Sequence, residues 1–163
     1  MSEEVLSSWI KSVEDQFAGG PPDGAALEWD RHRFELQVRD FAKPFKYYNR
    51  TSFDNKYCNT YQVAIDRPEE DRWLLLVQVS FIVDAYIMWW THYLPTGRTQ
   101  VGQVHPENDI QGISENMRAF LNGQAFIEVP MDWYRTKLPQ VDLQISKPED
   151  VILGKCLFED HSG

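Results

Sequence analysis

The chain has little sulfur and no excess of positive charge, and both shortages narrow what it does. Its two cysteines, Cys58 and Cys156, lie far apart and form no Cys-x-x-Cys pair. Nothing in their spacing points to a redox motif or a disulfide framework. The 163 residues hold 25 acids against 16 lysines and arginines, a formal net charge of −9. Nucleic-acid binding needs a basic footprint that displaces counterions, and docking on an anionic membrane surface needs the same sign. Both partners are therefore disfavoured, and a basic protein is the natural complement. A secretory leader is missing too: Met1 runs straight into Ser2-Glu3-Glu4, with neither a basic start nor an apolar run. On that reading the chain is cytoplasmic and its thiols are reduced.

Catalytic signatures are also lacking. The sequence contains no phosphate loop, no Gly-x-Gly-x-x-Gly turn after a strand, no Gly-x-Ser-x-Gly elbow, no His-Glu-x-x-His and no calcium-binding loop. The expectation is a protein that is not an enzyme and holds no cofactor and no metal. His92, His105 and Asp84 are a conceivable dispersed site, but they lack the spacing of a metal site. Asp84 stands inside an apolar stretch, where a carboxylate is costly unless exposed or paired, and it reads as the surface of a bend. Neither cysteine has a histidine arranged beside it, so both read as buried thiols.

An unbroken lipid-compatible run is absent as well. The apolar stretch from Trp73 to Leu94 is interrupted by Gln78, Ser80, Asp84 and His92, which a membrane span tolerates poorly. Its odd positions, from Trp73 through Leu75, Val77, Val79 and Phe81 to Tyr93, are nearly all apolar. Period two over such a length means β structure, with a break expected near Val83-Asp84-Ala85. Of the adjacent Trp89 and Trp90, one belongs in a core and the other on the mixed face.

What is present in quantity is aromatic: six Trp, seven Tyr and nine Phe. Such a chain is long enough to bury a core as one domain, residues 1–163. An amphipathic helix is predicted over about 2–18 from Val5, Leu6, Trp9, Ile10, Val13 and Phe17, with Ser2 as its cap. A β-rich part follows over about 32–94. Its first strand is read from the alternation of Phe34, Leu36 and Val38, and its second from Tyr57, Tyr61, Val63 and Ile65 on one face. The part over about 108–158 begins with a helix carrying Ile110, Ile113, Met117, Phe120 and Leu121, capped by Asn108 or Asp109. A helical turn after Pro130, a short strand through Val141, Leu143 and Ile145, a capping box at Ser146–Glu149, a last short helix and a frayed tail complete it. This order is not a repeating βαβ pattern. It predicts an α+β domain, an antiparallel β-sheet of about four to six strands covered by an N-terminal helix, a central helix and a short C-terminal helix.

The small size, the acidity, the N-terminal amphipathic helix, the aromatic strands and the ending Cys156-Leu157-Phe158-Glu159-Asp160 resemble the small acidic cytoplasmic immunity proteins of bacterial polymorphic-toxin systems. The resemblance is one of whole-chain style and rests on no specific motif. It implies a non-catalytic protein-binding function, toxin neutralisation by covering an active site or a nearby surface. The partner is then another protein, a basic toxin domain, steered by acids. The residues for that role are Asp66, Glu69, Glu70, Asp71, Glu107 and Asp109. Two alternatives stay open: a secretion chaperone for an effector, and a small-ligand-binding or enzymatic α+β domain with a pocket lined by His92, Asp84 and Tyr93.

Overall fold

The apolar stripe at the N-terminus folds as its periodicity predicts. In a computed structural model, which describes residues 2–102 and 106–162, helix α1 spans Glu3–Phe17 and buries Trp9, Val13 and Phe17. Ser2 is its N-cap by position, but its hydroxyl makes no capping bond. Five more elements build most of a sheet: helix α2 at Glu35–Ala42, then strands β1 at Lys46–Asn49, β2 at Cys58–Arg67, β3 at Asp71–Ser80 and β4 at Ala85–Tyr93. Strand β5 at Thr99–Gly102 follows, then helix α3 at Asn108–Gly123, strand β6 at Ile127–Glu128 and the short helices α4 at Met131–Tyr134 and α5 at Leu153–Leu157. The strands pair in the order β1-β2-β3-β4-β5, all antiparallel, while β6 lies parallel to the start of β4. The architecture is α+β, with helices at the N-terminus, centre and C-terminus, as the sequence predicts.

The sheet has two unlike faces. Tyr61, Val63 and Ile65 of β2, Trp73, Leu75, Val77 and Val79 of β3, and Tyr86, Met88 and Trp90 of β4 point to one side. There α2 lays down Val38 and Ala42, and α3 lays down Ile110, Ile113, Met117 and Leu121. Two polar pins set the register of α3. Trp90 Nε1 donates to Ser114 Oγ at 3.2 Å, and the Tyr86 hydroxyl donates to Asn122 at 2.7 Å. On the other side a second core forms over one end only, where α1, α5 and residues 129–158 pack on Cys58, Ala85 and Ile87.

Several expectations are overturned. Phe34, Leu36 and Val38 are not strand residues: Phe34 takes a left-handed φ of 64° and helix α2 begins after it. The alternation misleads because Leu36 is exposed, while the buried pair Val38 and Ala42 is four apart, one helical turn. Nor do the odd positions of 73–93 share one face. The break occupies residues 81–84, and the register pairs Val79 with Tyr86 and Leu75 with Trp90. The four-residue connection returns the chain with its parity reversed, so even positions enter the first core after it. Tyr57 likewise joins the second core, apart from Tyr61, Val63 and Ile65.

The capping and terminal features also differ. The N-cap of α3 is Glu107, not Asn108 or Asp109. Residues 141–145 form no strand. Ile145 and Ser146 donate their backbone N–H groups to the Asp160 carboxylate at 2.7 and 3.1 Å, which leaves this stretch as a loop. The Ser146 hydroxyl also donates to Asp160, at 2.8 Å, and accepts from Lys155 Nζ at 3.0 Å; it therefore caps nothing, and residues Pro148–Asp150 make a single 3-10 turn. The tail is not frayed before residue 161. Phe158 and Asp160 are buried, and Tyr57 N donates to Phe158 O at 2.7 Å while Asp160 N donates to Asn55 O at 3.0 Å.

Candidate functional site

Of the six predicted partner-binding acids, four lie at the β2–β3 hairpin and two at the start of α3, and the fold brings the two groups to one end. Arg67 joins them. Its guanidinium donates to both carboxylate oxygens of Asp71, at 2.5 and 2.7 Å, and also to Glu107. His92 Nε2 lies 2.7 Å from Asp71, and its ring stacks on Trp73 at 3.9 Å. These bonds from Arg67 hold both Asp71 and Glu107 below the usual carboxylate range, with His92 adding to the effect on Asp71. Asp66 is committed as well, 3.0 Å from Arg72. Glu69 and Asp109 have no ion-pair partner among the described residues, and Glu70 reaches Arg67 only at 4.0 Å. Two of the six predicted acids, Asp71 and Glu107, are thus spent on holding the hairpin to α3 through Arg67, and Asp66 is spent within the hairpin.

The dispersed site does not assemble. Asp84 is exposed in the 81–84 break, whereas His92 is near the far end of β4, roughly 25 Å away at 3.3 Å per residue. Tyr93 points to the opposite face from His92, and His105 lies outside the described residues. Among the described residues no group of three metal-ligating side chains is found. Both thiols are fully buried, and burial pushes each up to about 12, so neither is a nucleophile at neutral pH. No helix among the described residues is long and apolar enough to cross a membrane.

Uncommitted surface also lies at the uncovered end of the second sheet face. The residues facing it follow from the register: Lys46 and Tyr48 of β1, Gln62 of β2, Arg72, Leu74 and Leu76 of β3, Trp89, Thr91 and Tyr93 of β4, and Val101 of β5. Leu74, Leu76 and Thr91 are half-buried and Tyr48, Tyr93 and Val101 are exposed, without a helix over them, while the half-buried Trp89 meets helix α4 at its edge through Tyr134. Guanidinium groups shelter two of the rings: Arg50 lies 4.7 Å from the Tyr48 centroid and Arg72 lies 5.6 Å from that of Tyr93. Arg50 is held there by Gln62 at 3.3 Å. On a chain with net charge −9 the open strands of this face carry the cations Lys46, Arg50 and Arg72 and the acid Asp66 among the described residues, with Glu159 and Lys56 paired at the margin.

A groove marks where the open part of this face meets the covered part. Leu76, Gln78, Trp89, Thr91 and Val101 form its floor, and Tyr134, Glu159 and His161 its wall, around a cavity of about 320 Å³. Tyr134 is fixed on three sides. It meets Trp89 edge to face at 5.7 Å, stacks beside Phe158 at 6.5 Å, and lies over Gly154, where an added Cβ would fall 2.3 Å from its ring. Only a glycine allows that approach. Of the groove-forming residues, Trp89 was foreseeable as half of the Trp89-Trp90 pair. Tyr134 and Glu159 were not, because they reach the sheet only through tertiary packing.

Compared with protein-family models, with characterised proteins and with solved structures, the chain matches none.

Proposed function

We propose that this chain is a non-catalytic binding protein of the immunity type, which neutralises a bacterial toxin by seating the open face of its sheet on that protein. The observation that carries the reading is the unequal covering of the sheet. One face is sealed by α2 and α3, while half of the other presents Tyr48, Leu74, Leu76, Tyr93 and Val101 uncapped. Apolar and aromatic side chains held on paired strands are pre-organised, so little ordering entropy is lost when a partner covers them. Aromatic and arginine side chains also dominate the energetics of protein interfaces. The acids at the hairpin tip stand at one margin of this face and favour encounter with a basic domain.

The test pairs this chain with the protein encoded by the adjacent gene. That protein alone is expected to kill a bacterial host, and co-expression of this chain to restore growth. Leu76→Lys, which sets an ammonium in the middle of the face, should weaken the complex about 100-fold or more in calorimetry while leaving the melting temperature near wild type. Unchanged affinity in the Leu76→Lys variant removes the open face as the interface. The absence of any complex removes the immunity reading itself.

A further inference from the structure

We infer that the groove between Trp89, Tyr134 and Glu159 takes an arginine side chain of the partner protein; this rests on the binding function proposed above and names the chemistry of one anchor. The inference starts from an under-used carboxylate. Glu159 Oε1 lies 3.3 Å from Gln78 Nε2 and 3.9 Å from Lys56 Nζ, and both separations exceed a good charged hydrogen bond. Its Oε2 has no hydrogen-bond partner among the described residues. Among the described residues Lys56 is its one ion-pair partner, and both side chains are about one-third exposed, so their pair is weak and readily exchanged for a better donor.

The rest of the groove suits the same guest. Leu76 and Val101 offer apolar surface for a methylene stem, and the half-buried Trp89, whose ring lines the same groove, is the aromatic partner for a delocalised cation. A planar guanidinium donates two parallel bonds to one carboxylate and stacks on an aromatic ring at the same time, which an ammonium cannot match. A cavity of about 320 Å³ is large enough for one such side chain and too small for a folded element.

The probe is Nα-acetyl-L-arginine amide, with the neutral isostere Nα-acetyl-L-citrulline amide as control, titrated into the full chain. The readout is the indole ¹H–¹⁵N resonance of Trp89, assigned by its loss in Trp89→Phe. The arginine amide should shift that resonance saturably in the millimolar range, and Glu159→Gln or the citrulline amide should weaken the effect about ten-fold. Thr91→Lys, which plants a tethered ammonium in the groove floor and leaves Glu159 in place, should abolish it. No saturable shift, or equal shifts for arginine and citrulline, overturns the inference. Against the neighbour-encoded protein the two proposals separate. A complex that Leu76→Lys breaks but Glu159→Gln leaves unchanged keeps the open face and rejects the arginine anchor. Saturable arginine binding without any protein complex keeps the groove and rejects the immunity reading.

Discussion

The two faces of one sheet are built from the same residue classes, yet only one of them is finished. On the sealed face, Leu75, Val77, Tyr61 and Tyr86 are fully buried against α2 and α3. On the other, Leu74, Leu76 and Trp89 are only half-buried, and guanidinium groups, not a helix, stand over two rings. The difference separates two uses of apolar surface. Burial on the first face contributes to folding, whereas burial on the second awaits a partner. Adjacent positions on one strand should therefore respond oppositely to the same substitution.

The strongest way to break that comparison is Leu75→Ala against Leu76→Ala. Leu75 has no exposed surface, so its truncation removes transfer energy and leaves a cavity, for an expected loss of about 3 kcal/mol in urea denaturation. Leu76 is half-buried beside water and should lose less than about 1 kcal/mol. In partner binding the order should invert. Equal losses of stability at the two positions would mean that the second face is as well packed as the first.

A somewhat smaller effect is expected where the tail supports the groove. Asp160 is buried and accepts three hydrogen bonds, two of them from the backbone of Ile145 and Ser146. Asp160→Asn swaps one accepting oxygen for an NH2 that faces an N–H or O–H donor. The expected cost is about 2 kcal/mol, together with faster amide exchange over residues 156–161 and a shifted Trp89 indole resonance. Retained stability would show that the tail does not depend on this carboxylate.

The same contrast explains what was legible in the sequence. α1, α3 and the long β3–β4 hairpin announce themselves because each repeats one period over many residues. The break at 81–84 was readable from Asp84, but not its parity, since the number of connecting residues decides which face returns. Phe34, Leu36 and Val38 alternate by accident of an exposed leucine in the first turn of a short helix, and eight residues hold too few turns to expose the error. The groove was least legible. Its wall comes from Tyr134 and Glu159, far from the strands in sequence, and depends on Gly154 admitting a ring where any Cβ would collide.

The hairpin network gives a third test, through pH. Asp71 is held below the ordinary carboxylate value by Arg67 and His92. A depressed native pKa stabilises the fold fully above the unfolded value of about 3.9, and that stabilisation disappears as pH falls through the native value. Wild type should therefore lose stability below about pH 4 more steeply than Asp71→Asn. The difference should be on the order of 1 kcal/mol, kept small because Arg67 and Glu107 remain open to water. Parallel acid limbs for the two proteins would remove Asp71 from the account of the hairpin.

The smallest effect on stability is expected at the hairpin tip, and it sharpens the comparison from outside. Glu69 and Glu70 are exposed and make at most one long contact, with Arg67 at 4.0 Å. The double change Glu69→Gln and Glu70→Gln should leave the denaturation midpoint where it is. If these acids only steer a basic partner toward the open face, the association rate should fall a few-fold at low salt. At 0.5 M salt, where the Debye length is a few ångströms, it should match wild type, and the dissociation rate should not move. If instead the tip is itself the docking surface, the dissociation rate should rise and the loss should persist at high salt. Stopped-flow association at two salt concentrations therefore distinguishes an acidic tip that guides from one that grips.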